Sequence, residues 1–169
     1  MDFHKTREEY IRAKSKLFLQ SDLSILNADD PVAARMAKAA ACGGGRVLFA
    51  GAVYPGDARA TQITQDGIRG ARYFLRYGSL SLLMGEQIAG VYQVYNSMLA
   101  FLCAVELGVP PCVAKTGIGS LTAIAGRGEV LSTDPTVILD YAHTAKALES
   151  ILKVINSSKN TKQKIITIF

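Results

Sequence analysis

Polar side chains directly follow a short apolar run near the beginning of the chain. Residues 24–26 read Ser-Ile-Leu, which predicts a strand, and residues 27–31 read Asn-Ala-Asp-Asp-Pro. In α/β proteins, ligands bind in the crevice outside the carboxyl ends of parallel strands. We therefore expect the amide of Asn27 and the carboxylates of Asp29 and Asp30 to border a ligand crevice.

A lysine upstream of this run shares a predicted helix face with an aromatic ring. Tyr10, Ile11, Lys14, Leu17 and Phe18 recur at helical spacing, which predicts a charged amphipathic helix. Tyr10 and Lys14 are four residues apart and so lie on one face of that helix. On spacing alone, Lys14 is a surface residue whose aliphatic stem covers apolar area while its ammonium group stays in water.

Further polar candidates lie at the ends of predicted elements. Asn96 lies near the start of a predicted helix, where the ordinary role of asparagine is to cap the helix. Arg127 lies in the loop Gly-Arg-Gly-Glu, and on residues alone it is a loop arginine. Asp140 and His143 follow an apolar run at residues 136–139, and such strand ends favour a ligand crevice.

The order of these motifs resembles one family of enzymes. Asp-Phe-His at residues 2–4, Tyr-x-x-x-Lys-x-x-Leu-Phe at 10–18 and Leu-Asn-Ala-Asp-Asp-Pro at 26–31 are similar to the central domain of the Mur ligases. Asp-x-Arg-Ala-Thr at 57–61 and Asp-Tyr-Ala-His-Thr at 140–144 favour its UDP-N-acetylmuramoyl-tripeptide synthetase branch. The resemblance implies an ATP-dependent amide-bond ligase of peptidoglycan synthesis. In such an enzyme an acyl phosphate forms on the muramoyl peptide, and an incoming amine attacks it.

The resemblance also implies a metal-binding role for the lysine. Lys14 occupies the position of the lysine that the family carbamylates, and that carbamate helps to hold a magnesium ion at the ATP γ-phosphate. A carbamate supplies oxygen ligands, which suit a hard divalent cation. Asn96 matches the second of two family asparagines that lie near the nucleotide and its metal. Gln93 replaces the first, and its additional methylene group is expected to shift or weaken that contact.

The remaining candidates are assigned by the resemblance to the nucleotide. Arg127 would approach the ATP phosphates, a task that suits a planar and permanently charged guanidinium group. Asp140 would reach the ribose or phosphate side of ATP, and His143 would lie nearby in a less defined role. Ala125 and Ala145 replace prolines that the family usually has at these two motifs.

Other family motifs do not occur in the 169 residues. No Gly-x-x-x-x-Gly-Lys-Ser/Thr loop is present to hold the β- and γ-phosphates, and His4 does not match the family's metal histidine. We interpret the sequence as a fragment of a longer ligase and expect this chain alone to be inactive. The complete enzyme would use a UDP-linked muramoyl peptide and an amino acid, either diaminopimelate or lysine.

Two alternatives remain open. A cyanophycin-type or folylpolyglutamate-type ligase is the alternative enzyme. A non-catalytic protein that keeps only a nucleotide-binding surface would account for the missing phosphate loop.

The elements that position these residues alternate between helix and strand, which predicts an α/β fold. We expect residues 1–130 to be part of a central ATP-binding domain, with a mostly parallel sheet and an antiparallel hairpin insertion. Residues 131–169 would begin a Rossmann-like C-terminal domain. Helices are predicted up to residue 18 and at 32–41, 90–107, 111–121 and 145–155, and strands at 24–26, 46–50, 57–63, 71–76, 79–84, 87–91, 136–139 and 164–169. Buried positions are predicted for the strands at 46–50 and 136–139.

Composition argues against several classes of protein. Hydrophobic residues make up 49% and charged residues 20%, which is inconsistent with disorder. The net charge of +5 is spread along the sequence, so we expect no nucleic-acid partner. The longest apolar run is too short to span a bilayer, so we expect no membrane insertion. The charged first residues argue against a signal peptide, and the three cysteines are expected to be buried thiols of a cytoplasmic protein.

Overall fold

A computed structural model describes residues 4–88 and 90–168 of the chain. The helices are α1 (Arg7–Phe18), α2 (Ala33–Cys42), α3 (Val91–Glu106), α4 (Pro111–Ser120) and α5 (Ala145–Ser158). The strands are β1 (Leu23–Asn27), β2 (Arg46–Gly51), β3 (Ala58–Gln65), β4 (Ala71–Tyr77), β5 (Leu80–Glu86), β6 (Glu129–Thr133) and β7 (Thr136–Leu139). A 3-10 turn (Gly67–Arg69) connects β3 to β4. None of the helices in the described ranges is long and apolar enough to cross a lipid bilayer.

Strands β1 to β5 form one sheet in sequence order. β1, β2 and β3 are parallel neighbours, with Leu26 paired to Phe49, because α2 crosses back over the sheet between β1 and β2. β3, β4 and β5 are antiparallel neighbours joined by short turns, with Phe74 paired to Leu83. The predicted α/β fold, with parallel strands followed by antiparallel hairpins, is confirmed. The helix predicted at 32–41 is also present, and it ends at Cys42 with Gly43 in the capping position.

The main core lies between the antiparallel strands and α3. Its largest fully buried side chains are Tyr73, Leu75 and Met84 from the sheet and Val94, Met98, Phe101 and Leu102 from α3. Burying a large apolar side chain stabilises the fold by roughly 1.5–3 kcal/mol. The helix that carries Gln93 and Asn96 is therefore held firmly against the sheet.

Helix α1 packs on the parallel part of the sheet through a smaller cluster. Ile11 contacts a core that also contains Leu26 and Met36. Thr6 caps the helix, because its hydroxyl accepts a hydrogen bond from the Glu9 amide at 3.1 Å. Phe18 packs partly against the same cluster, whereas Tyr10 and Leu17 are exposed, Leu17 to 62%. Lys14 is consequently on an exposed side of α1.

Three predicted strands differ from the structure. β7 pairs only with β6, so it lies in a two-stranded sheet and its Val137 and Leu139 side chains are exposed instead of buried. Residues 164–168 form no strand, because no described segment pairs with them. The run predicted at 87–91 is not a strand either, since β5 ends at Glu86 and α3 begins at Val91.

The environment of the cysteines also differs from the prediction. Cys42, Cys103 and Cys112 are free thiols, but all three are exposed. Cys42 ends α2 and Cys112 lies in the first turn of α4, and helix ends lie at the surface. The predicted domain boundary at residues 130–131 falls within β6, and the division into two domains stays a prediction.

A buried carboxyl group lies beneath α3 at the end of β5. The Tyr73 hydroxyl lies 2.7 Å from Ser97 Oγ, which donates a hydrogen bond to the Val94 carbonyl oxygen at 3.1 Å. Glu86 is 8% exposed, and its Oε1 atom has no hydrogen-bond partner among the residues that the structure describes. Burial raises the pKa of Glu86 to about 7, although the nearby Ser97 hydroxyl offsets part of this effect. The folded protein therefore favours the uncharged form of Glu86.

We expect Glu86→Gln to stabilise the protein only at high pH. The folded pKa lies above the unfolded value, so the favourable contribution of protonated Glu86 is complete below about pH 4.5 and is lost as the pH rises through about 7. The variant, which cannot ionise, should gain on the order of 3 kcal/mol in unfolding free energy at pH 8 and little at pH 4. Urea unfolding at both pH values measures this difference. Glu9→Gln on α1 is the matched control, and an equal gain from both variants would contradict the assignment.

Candidate functional site

The turn after β1 is organised by side-chain acceptors. Asn27 Oδ1 accepts a hydrogen bond from the Asp29 amide at 2.9 Å, and Asp30 Oδ1 accepts one from the Val32 amide at 2.9 Å. Such Asx turns reverse the chain without help from neighbouring strands. The turn lies at the carboxyl end of β1, as predicted, and it directs Asp29 towards the loop after β2.

Asp29 joins three separate segments. Its Oδ2 accepts hydrogen bonds from the amides of Ala52 (2.8 Å) and Val53 (3.0 Å) and from the Tyr95 hydroxyl (2.8 Å). Its Oδ1 accepts one from the Tyr54 amide at 2.7 Å. Burial alone would raise the pKa of Asp29, but these hydrogen bonds together outweigh it and hold the pKa below its usual range. Both carboxylate oxygens of Asp29 are therefore engaged within the fold.

The close approach of the β2–β3 loop depends on a residue without a side chain. A Cβ atom at Gly51 would lie 2.6 Å from the Tyr54 carbonyl oxygen and 3.1 Å from Asp29 Oδ1. Either distance is too short for a carbon atom. Gly51 thus allows the loop to fold back onto Asp29.

Two polar candidates contact each other on α3. Asn96 Nδ2 donates a hydrogen bond to Gln93 Oε1 at 2.9 Å. Gln93 is buried and Asn96 is exposed, so the pair presents its Asn96 end to solvent. The alternative that Asn96 caps the helix is wrong, because α3 begins at Val91 and Gly90 occupies the capping position. Tyr95 lies between the pair in sequence, so its bond to Asp29 ties this part of α3 to the end of β1.

Lys14 lies beside aromatic rings, as its spacing predicted. Its Nζ atom is 5.1 Å from the centroid of the Tyr10 ring, which is a cation–π distance, and the His4 ring meets Tyr10 edge-on at 5.7 Å. Asp2 and Phe3 of the predicted Asp-Phe-His motif lie outside the described residues. The part of the chain that the structure describes contains no group of three or more His, Cys, Asp or Glu side chains placed to bind a metal ion.

A third group forms where the 126–128 turn meets the end of β7. Asp140 Oδ2 accepts a hydrogen bond from the Gly128 amide at 2.7 Å, and the Tyr141 amide donates to the Gly126 carbonyl oxygen at 2.8 Å. The guanidinium carbon of Arg127 lies 5.6 Å from the Tyr141 ring centroid. Gly126 and Gly128 have φ angles of +68° and +62°, values that glycine adopts without strain. These glycines therefore let the turn present Arg127 beside Asp140 and Tyr141.

This third group is electrostatically coupled to the first turn of α3. Burial raises the pKa of Tyr92 most strongly, the negative charge of Asp140 raises it further, and the positive charge of Arg127 lowers it. His143 is exposed, with its ring 5.0 Å from Tyr141 and its Nδ1 atom 3.0 Å from the Tyr141 carbonyl oxygen. The structure thus brings Arg127, Asp140 and His143 together around Tyr141. No contact among the described residues joins Lys14 to that group or to Gln93 and Asn96.

Comparisons with known proteins decide the family. The family model of the Mur ligase middle domain matches residues 1–104. This chain belongs to the Mur ligase family. The predicted resemblance is therefore confirmed, and the matched residues contain Lys14, Asp29, Gln93 and Asn96.

Curated Mur ligases match the whole chain. UDP-N-acetylmuramoyl-L-alanyl-D-glutamate–2,6-diaminopimelate ligase 1 of Clostridium acetobutylicum is 34% identical over 173 residues, and the alignment covers 100% of this chain and 35% of that protein. The corresponding ligase of Clostridium perfringens is 33% identical over 175 residues, again covering 100% of this chain and 35% of the relative. The chain thus spans about a third of the length of these relatives.

Solved structures show the same Mur ligase fold. A structure of UDP-N-acetylmuramoyl-L-alanyl-D-glutamate–2,6-diaminopimelate ligase superposes with a TM-score of 0.77 at 25% identity, covering 94% of this chain and 34% of that one. A D-alanyl-D-alanyl ligase of Acinetobacter baumannii that acts on the diaminopimelate-containing precursor superposes with a TM-score of 0.79 at 24% identity, covering 91% and 34%. At 24% identity the second likeness shows the fold alone.

Sequence analysis missed the roles of several Mur ligase residues in this chain. The internal hydrogen bonds of Asp29 were not predicted, and its place beside a ligand crevice stays a prediction. Tyr92 and Tyr141 were not candidates, although they frame Arg127 and Asp140. Tyr141 could have been selected from the sequence, because it lies between Asp140 and His143 at a predicted strand end.

Proposed function

We propose that this chain is the middle part of an ATP-dependent ligase that adds diaminopimelate to UDP-N-acetylmuramoyl-dipeptide in the cytoplasm. The observation that carries the proposal is the identity of 34% and 33%, along the whole chain, to two relatives named as diaminopimelate ligases. Of the two predicted amino acids, these names favour diaminopimelate over lysine. We further propose that residues 1–130 belong to the central domain and that residues 131–169 begin the C-terminal one.

The Arg127 group fits a nucleotide. Arg127 offers a bidentate cation for a phosphate, Asp140 a carboxylate acceptor for ribose hydroxyls, and Tyr141 an aromatic surface at the same place. ATP bound there would supply the phosphoryl group that activates the peptide carboxylate for attack by an amine. We propose that Asn96 and Gln93 orient the nucleotide from α3, and that His143 contributes at the edge of this group.

A magnesium site has less support from the described residues than the nucleotide site has. The described residues alone do not form a magnesium site, since no cluster of acidic or imidazole ligands surrounds Lys14. Under this proposal Lys14, once carbamylated, would supply one ligand group to a site that other parts of a longer enzyme complete.

Exchange of the segment between enzymes tests the proposal. Residues 1–169 would replace the matching third of the Clostridium acetobutylicum diaminopimelate ligase, and we expect the chimera to form the tripeptide product from ATP, UDP-muramoyl-dipeptide and diaminopimelate. Lysine in place of diaminopimelate is the control substrate. A folded chimera that binds the muramoyl peptide but releases no phosphate would favour a non-catalytic role for the chain.

Arg127→Gln in that chimera should weaken the binding of ATP more than the binding of the muramoyl peptide. Removing a phosphate-binding guanidinium is expected to raise the KM for ATP on the order of tenfold to a hundredfold, because a charge-assisted hydrogen bond contributes about 1.5–3 kcal/mol. Steady-state kinetics with each substrate varied in turn measure the change. Arg12→Gln on α1 is the matched control. Equal changes in both KM values would contradict a nucleotide role for Arg127.

A further inference from the structure

The side of β3, β4 and β5 that faces away from α3 is strongly basic. On β4 the inward side chains of Tyr73 and Leu75 are buried, whereas Arg72, Phe74 and Arg76 alternate with them and are exposed. The outer face, as we name it, consists of Arg59, Thr61, Thr64, Arg72, Phe74, Arg76, Ser81, Leu83 and Gly85. These nine residues include three arginines and no carboxylate.

The positive charge of the outer face is not neutralised within the fold. Arg59 and Arg76 are directly opposite each other on β3 and β4, a like-charge pairing that destabilises a sheet. Among the described residues, none of the three arginines lies within 4.0 Å of a carboxylate oxygen in the ion pairs of the structure. An acidic residue at any of these positions would have stabilised the sheet instead. The face therefore keeps its charge at a cost to folding.

The centre of the outer face is apolar. Phe74 and Leu83 are directly opposite each other on β4 and β5, with Arg72 and Arg76 on either side of Phe74 along the strand. Phe74 is 37% exposed and Leu83 is 50% exposed, so both side chains present area to solvent. Apolar side chains ringed by arginines are typical of surfaces that rest in the headgroup region of a membrane.

A cavity of about 540 Å³ adjoins one end of this face. Arg69, Arg72 and Lys115 line it, so Arg72 belongs to both the cavity and the outer face. Two carboxyl groups, Asp66 and Glu86, also line the cavity. Burial raises the pKa of Glu86 to about 7, so a large share of this group is uncharged at neutral pH. The cationic side chains therefore predominate at the cavity.

We propose that the outer face docks on a bilayer that contains anionic phospholipid. Arg59, Arg72 and Arg76 bind lipid phosphates, one headgroup phosphate enters the cavity beside Arg69, and Phe74 rests on the boundary of the acyl chains. Arginine suits this role because its guanidinium group binds phosphate through two hydrogen bonds. Single-stranded nucleic acid binds to rows of exposed aromatic side chains, and Phe74 is the sole aromatic residue on this face.

Vesicle co-sedimentation of the full chain tests the proposal. We expect binding to vesicles of phosphatidylcholine mixed with phosphatidylglycerol and none to phosphatidylcholine alone. A variant with Arg59→Gln, Arg72→Gln and Arg76→Gln should bind about a hundredfold more weakly, since each arginine near an anionic surface contributes roughly fivefold. Phe74→Ser should weaken the remaining salt-resistant part of binding. Circular dichroism melts of each variant check that a loss of binding does not come from unfolding. We expect the triple variant to stay folded, because it removes the repulsion between Arg59 and Arg76.

A second triple variant tests whether vesicle binding depends on the outer face or only on the net charge of the protein. Arg12→Gln, Lys16→Gln and Lys38→Gln remove the same charge from exposed positions of α1 and α2 and should leave vesicle binding unchanged. Equal losses in both triple variants would overturn the proposal, as would binding of a fluorescent oligonucleotide through the arginines without binding to vesicles. Failure to bind vesicles would leave the proposed ligase role intact, since that role is tested by product formation.

Discussion

Asp29→Ala is expected to lower the free energy of unfolding by about 3 kcal/mol, because four donors lose their acceptor at once. A bond to a charged acceptor contributes about 1.5–3 kcal/mol, and water replaces part of the loss at the exposed loop amides. Tyr95 would lose its partner at the same time, which frees α3 from the end of β1. Urea unfolding at pH 7 measures the effect.

Asp30→Ala is the matched control, since the Asp30 side chain is exposed and, within the described part of the chain, accepts only from the Val32 amide. That substitution should lower the unfolding free energy by no more than about 1 kcal/mol. The depressed pKa of Asp29 adds a pH test: its contribution is present above the ordinary value of 3.8 and is lost as the pH falls below it. The two variants should therefore become more alike in strongly acidic solution. Equal losses at pH 7 would show that Asp29 does not join the three segments.

Local patterns predicted the parallel half of the fold well. The strands at residues 24–26 and 46–50 and the helix at 32–41 each depend on neighbours in sequence, and each was predicted to within one residue of its observed ends. The antiparallel hairpins were predicted for the same reason, since glycines mark their turns. Burial of β7 was predicted wrongly, because an apolar run shows that a strand favours burial but not which segment covers it.

Contacts between distant residues explain what the sequence could not show. Asp29 and Tyr95 are 66 positions apart, so no spacing rule connects them. The same limit applies to charge: Arg59 and Arg76 belong to a dispersed set of cations in the sequence, and only strand register places them opposite each other. Among the candidate residues, a contact was predicted most accurately where it depends on one helix turn, as for Tyr10 and Lys14.

Lys14→Ala is expected to abolish turnover in the chimera that carries residues 1–169 within a diaminopimelate ligase. The loss should be on the order of a thousandfold or more, as for other groups that stabilise the transferring phosphoryl group. Stability should change little, because Lys14 is exposed and its contact is the cation–π approach to Tyr10 at 5.1 Å. Phosphate release and thermal unfolding, measured on the same preparation, separate the two effects.

Chemical rescue distinguishes a carbamate from a plain ammonium group at this position. A short-chain carboxylate should restore part of the activity of Lys14→Ala, because it can supply oxygen ligands in the vacated space. Lys14→Arg should stay inactive under the same conditions, since arginine keeps the positive charge and fills that space. Lys16→Ala is the control, because Lys16 is exposed and lies two residues further along α1. The enzyme with this substitution should turn over normally. Full activity of Lys14→Ala without added carboxylate would rule out the ligand role and leave Lys14 as a surface residue packed on Tyr10.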